Sequence, residues 1–132
     1  EYLLFPKLLG VAERAWAKDP EWAIENDAVK AEQLYNNAWS EFVNIMGKRE
    51  LPRLNYYAGG FLYRIPTAGA IVKNGKAEAN VIIPGLTIRY TTDGTEPTVQ
   101  SKVYSGPIQL KKQVTLKVFN SEGRSGNSIR IE

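Results

Sequence analysis

The chain contains no cysteine and no histidine, and only one methionine. Without cysteine there are no disulfides, no thiolate metal ligands and no thiol nucleophile. Without histidine a serine nucleophile lacks its usual base, and a metal site would have to be built from carboxylates alone. Catalysis within these residues is thereby confined to paired Asp/Glu chemistry. No apolar run approaches the ~18 residues that a membrane-spanning helix needs. Charge of one sign is also not concentrated. The 17 lysines and arginines offset 14 acidic residues to leave +3, and the longest basic run is Lys111-Lys112, so no nucleic-acid footprint is expected.

What is present fits a folded chain: 43% hydrophobic and 23% charged residues over a length of 132, enough for one domain or two small pieces. The pattern changes near Pro66. Residues 1–65 have helical periodicity and hold all three tryptophans, whereas 66–132 read as short strands separated by turns. The expected fold class is therefore α+β in two segregated parts, helices over 1–65 and a small antiparallel β-sandwich over 66–132. The opening, Glu1-Tyr2-Leu3-Leu4-Phe5-Pro6, enters apolar sequence without an initiator Met or a signal peptide. It leads us to expect the tail of a longer protein.

The first helix is expected from about Pro6 to Ala17, with Pro6 in the first turn, where its missing N–H costs nothing. Phe5, Leu8, Leu9, Ala12, Ala15 and Trp16 recur at three- and four-residue spacing on one face. Asp19-Pro20-Glu21-Trp22 signals a short helical turn, with Asp19 as N-cap and Pro20 at the first helical position. The second helix is expected from Asp27 or Ala28 to Met46, with Asp27 as N-cap and Gly47 as a left-handed stop. Its stripe runs through Ala31, Leu34, Tyr35, Ala38, Trp39, Phe42, Val43 and Met46. Trp16 and Trp39 read as packing residues. Two helices cannot bury stripes this wide against each other alone, so a larger partner surface is expected.

After Pro66 the period becomes two. Strands are expected at Ala70–Lys73, Lys76–Ile82, Thr87–Thr92, around Gln109–Leu110, Val114–Asn120 and Ser128–Ile131. Asn74-Gly75 is a hairpin turn signal, and Pro84-Gly85 and Asp93-Gly94 mark further turns.

Several groups invite a functional reading. Asp93 and Glu96 with nearby threonines suggest an oxygen-rich calcium loop, but the repeated ligands such a loop needs are missing and turn chemistry accounts for Asp93-Gly94. Glu21, Glu25 and Asp27 form a carboxylate run that helix capping explains better. Tyr56, Tyr57, Phe61 and Tyr63 in the connector, and Tyr90, Tyr104 and Phe119 in the sandwich, offer rings suited to sugar faces; packing is the favoured reading of both sets. Glu13 and Arg14 are read as a structural ion pair. No catalytic, cofactor-binding or metal-ligating residue is assigned, and no cofactor is expected.

The stretch FPKLLGVAERAW, Phe5 to Trp16, resembles the last barrel helix of the chitobiase/β-N-acetylhexosaminidase family, glycoside hydrolase family twenty. NIMGKRELPRLNYYAGGFLYRIPTAGA, Asn44 to Ala70, resembles the segment by which those enzymes leave the barrel. LTIRYTTDGTEPTVQSKVYSGPI, Leu86 to Ile108, resembles their C-terminal module, an immunoglobulin-like or fibronectin-type-III-like sandwich. The resemblance implies removal of terminal N-acetylhexosamine from β-linked glycans by substrate-assisted retention, an exception to ordinary two-carboxylate retention. The family's Asp–Glu pair follows two glycines. Here Gly59-Gly60 is followed by Phe61-Leu62, so none of the family's catalytic residues carries over. The implied role is structural, with the rest of the parent barrel as partner, the glycan bound only by the parent enzyme, and an extracytoplasmic, bacterial-type location. The alternatives are a carbohydrate-binding module, weakened by the lack of tryptophan after Pro66, and a protein-interaction sandwich.

Overall fold

The computed structural model describes residues 2–132. The chain divides into two compact units between Arg64 and Ile65. It has the α+β layout expected, with helices first and two antiparallel sheets after them.

In the first unit α1 spans Lys7–Trp16, one residue inside the expected bounds at each end, and Pro6 is its capping residue. The turn announced by Asp19-Pro20 is a single 3-10 turn, Glu21–Ala23, and Pro20, in extended conformation, stands at its cap. Asp19 is therefore not the cap. Helix α2, Ala28–Ile45, starts as read: the Asp27 carboxylate accepts from the Val29 and Lys30 N–H groups at 2.9 and 3.0 Å. These are two of the donors that a helix start leaves unpaired.

The expected stop at Gly47 does not occur. The backbone continues through a π-helical turn, Met46–Glu50, into α3, Leu51–Leu54. Glycine ends a helix by turning left-handed, and Gly47 is buried within a right-handed turn instead. The wider turn hands over to a segment with Pro52 in its first turn, where a missing N–H is tolerated.

Val43, Met46 and Leu51 are buried. Higher up the stripe, Tyr35 and Trp39 are 46% and 40% exposed, and Trp16 is 86% exposed. The periodicity selected the right face of α2, but the surface that would cover its upper turns is not among the described residues.

The second unit is a small β-sandwich. Strands β1 (Gly69–Lys73), β2 (Lys76–Asn80) and β5 (Ile108–Gln109) form one sheet in the order β1-β2-β5. Strands β3 (Thr87–Thr91), β4 (Lys102–Val103), β6 (Val114–Phe119) and β7 (Ile129–Ile131) form the other, in the order β4-β3-β6-β7. Asn74 and Gly75 both have positive φ, at 51° and 69°, and close the β1–β2 hairpin with Lys73 opposite Lys76. Strand β4 was not anticipated. Central β6 carries the core, with Val114, Leu116 and Val118 fully buried; Ile88, paired with Val118 on β3, and Ala77 of β2 are buried too. Alternation is incomplete there, because Thr115 and Phe119 on the other parity are buried too.

Candidate functional site

Each group singled out in the sequence has a definite place. Asp93 closes a turn: its Oδ1 accepts from the Thr95 N–H at 3.0 Å and from the Thr95 hydroxyl at 2.6 Å. Those bonds, the hydroxyl's first, hold the carboxyl below its ordinary range. Glu96 points elsewhere and accepts from Lys117 Nζ at 3.0 Å. Lys117 and then Ser128 lower its pKa. The two acids thus serve separate contacts. Among the described residues no group of three potential metal-binding side chains converges.

The carboxylates before α2 are likewise divided. Asp27 caps the helix, and Glu25 pairs with Lys30 and accepts from the Asp27 N–H. Lys30 is the main reason the Glu25 pKa is lowered.

Glu13 and Arg14 form a forked pair, with Arg14 Nε and Nη2 each 2.5 Å from a Glu13 oxygen. The guanidinium lowers the Glu13 pKa, so this acid is held ionised and is unsuited to donate a proton near neutral pH. The pair lies at the rim of a groove of about 220 Å³ lined by Gly10, Trp22, Tyr35, Trp39 and Phe42. Trp22 meets Tyr35 edge to face at 5.4 Å, and Trp39 leans on Phe42 at 5.9 Å. The Trp22–Tyr35 contact was not foreseen, although a turn that opens with Pro20 just before α2 is the sort of signal that folds an aromatic back on the following helix.

The connector aromatics do not form one platform. Tyr56 and Tyr57 are exposed, Phe61 packs on Phe5 at 5.6 Å, and Tyr63 is buried. In the sandwich Tyr90, Tyr104 and Phe119 do not share a face either. Phe119 is buried in β6, and the Tyr104 hydroxyl is bonded to the backbone of Ala79. Tyr90 lines a shallow cleft of about 380 Å³ with Val103, Ser105, Pro107 and Gln109. It contains no acid or base, so it offers hydrogen bonds and a ring but no proton transfer.

Residues 50–128 match the family described as the chitobiase/beta-hexosaminidase C-terminal domain. The chain belongs to this family. The stretch from Leu86 to Ile108, on which the resemblance to the C-terminal module rested, lies inside the matched segment. Among similar proteins, the N,N'-diacetylchitobiase of Vibrio harveyi is 36% identical over 102 residues, 71% of this chain and 11% of that protein. The beta-hexosaminidase of Vibrio vulnificus is 26% identical over 148 residues, 99% of this chain and 17% of that protein. The chain thus spans less than a fifth of the length of these relatives. No helix of the described residues is long and apolar enough to cross a membrane.

Proposed function

We propose that the chain is the C-terminal part of a β-N-acetylhexosaminidase of glycoside hydrolase family twenty, which removes terminal N-acetylhexosamine from β-linked glycans. In this reading residues 1–65 are the last barrel helices with their connector, and 66–132 are an accessory sandwich that stabilises the catalytic domain. The observation that carries it is the reach of the similarity. The family segment begins at residue 50, yet the alignment with the Vibrio vulnificus beta-hexosaminidase takes in 99% of the chain, helices included. Leu3, Leu8 and Trp16, exposed around α1, supply apolar surface for a barrel to cover. The catalytic carboxylates belong to the remainder of the enzyme, and the location is extracytoplasmic.

The acids within the chain fit a structural role, since Glu13, Glu25, Asp93 and Glu96 are each engaged by a cation, a cap or a turn. The test is an assay of the purified chain on an aryl β-N-acetylglucosaminide. No turnover is expected. Turnover abolished by changing one carboxylate of this chain overturns the reading.

A further inference from the structure

The outer edge of β1 is open. Among the described residues β1 is the end strand of its sheet, paired only with β2. Its sequence, Gly69-Ala70-Ile71-Val72-Lys73, is lightly protected for an exposed edge: no proline, no bulge in the register with β2, and a single charge, Lys73, at its last position. Ile71 and Val72 are 61% and 49% exposed.

The register states which backbone groups face outward. In a two-residue hairpin the closing pair, here Lys73 with Lys76, exchanges both hydrogen bonds, and bonded pairs then alternate along the ladder. Lys73, Ile71 and Gly69 therefore bond to β2, and the N–H and C=O groups of Ala70 and Val72 point away from it. The same alternation turns the Ala79 N–H of β2 away from β1, and it is found bonded to Tyr104 on the opposite side.

We propose that this edge pairs with a second copy of the chain, β1 against β1, antiparallel about a two-fold axis through Ile71. About that point every outward group of the strand finds a partner, whereas an axis through Ala70 or Val72 pairs only one of the two residues within the strand. Ala70 then faces Val72 of the other copy and Val72 faces Ala70, which forms four backbone hydrogen bonds. Ile71 meets its own counterpart as a non-bonded pair, the closer of the two antiparallel spacings. The charges also fit: Lys73 lies opposite Gly69, so the two lysines sit at opposite ends and never meet. Such an isologous contact closes at two copies. Five paired residues bury far less than the ~1,200 Å² of a stable interface, so the association is weak and concentration-dependent.

Sedimentation equilibrium on the full chain, from micromolar to millimolar concentration, tests the proposal. A monomer–dimer equilibrium is expected, with Ala70 and Val72 amide exchange slowing as concentration rises and Ile71 exchange unaffected. Val72→Pro removes an outward N–H without touching the β2 ladder, and should weaken self-association at least about tenfold with circular dichroism unchanged. Should that variant not fold, Ile71→Lys and Ile71→Glu replace it: each alone should be monomeric, and an equimolar mixture should associate again. A chain that stays monomeric at millimolar concentration overturns the proposal. So does a dimer that Ile71→Lys leaves intact, or one that the Lys/Glu mixture fails to restore, since the edge would then be idle or pair in another register.

Discussion

The Tyr104 hydroxyl accepts a 2.9 Å hydrogen bond from the backbone N–H of Ala79, and this bond ties one sheet of the sandwich to the other. The Tyr104 backbone N–H donates in turn to Ile88 O of β3, also at 2.9 Å. Strand β5 pairs with β2 at Lys76 and Ala77, and the pairing ends before the register would bring Gly106 opposite Ala79. The Ala79 N–H is therefore left without a strand partner, and the phenol takes that place. In physical terms, the Tyr104-x-Gly106-Pro107 return brings a side-chain acceptor to a donor that the short β5 does not reach.

Replacing Tyr104 by phenylalanine keeps the ring and deletes only the acceptor. The cost should be about 1–2 kcal/mol, typical of a part-buried N–H left unbonded. In a unit this small that lowers Tm by roughly 4–8 °C per kcal/mol. Denaturant unfolding gives the first number. Hydrogen exchange at the Ala79 amide, expected to accelerate, distinguishes loss of this bond from general loosening.

Gly126 donates its N–H to Val118 O at 3.0 Å, and a β-carbon added there would stand 2.5 Å from Ile65 O and 3.1 Å from Pro66 O. Both obstacles are backbone and cannot swing aside. Gly126→Ala should destabilise the sandwich by about 1–3 kcal/mol, the range for overpacking a tight site. Gly106→Ala, which meets nothing within 4 Å, is the control and should be near neutral.

The legible features were those encoded locally. Asp27 as a cap and Asn74-Gly75 as a turn need only a few neighbouring residues, and both stand where they were read. Gly47 was misread because stopping a helix depends on its neighbours: buried beside Met46, it stays right-handed. Strand β4 has two exposed residues and no period to detect. The stripe through Tyr35 and Trp39 told which way they face but not what covers them, since periodicity carries no information about a partner surface. The family was legible in linear stretches such as Leu86–Ile108. The Tyr104–Ala79 bond was not, because it joins residues 25 positions apart through a side chain whose neighbours give no hint of its target.

Asp27→Ala removes the acceptor for two N–H groups at the start of α2 and should cost about 1 kcal/mol of helix stability. Asp27→Asn, which still accepts, should recover most of it. Thermal melts of the three proteins followed at 222 nm settle the order.

Glu96 gives the sandwich a small acid-side pH dependence. Its folded pKa lies below the ordinary 4.5, chiefly through the hydrogen bond from Lys117. Its contribution is therefore fully present above the unfolded value and is lost as pH falls through the folded one. With the Glu96 side chain 57% exposed, the pair is worth at most about 1 kcal/mol and less in salt. Glu96→Gln should lower stability slightly at pH 7 and flatten its decline below pH 4.5. An unchanged acid limb would mean that other carboxylates govern it.

The measurement that bears most directly on the proposed accessory role is deletion of residues 66–132 from the full-length protein, proposed above to be a hexosaminidase, with Tm and steady-state kinetics compared. The account predicts a clear fall in Tm, and an unchanged KM for an aryl β-N-acetylglucosaminide in the enzyme that remains folded. An unchanged Tm, with activity lost only on polymeric chitin, would contradict it and make the sandwich a carbohydrate-binding module.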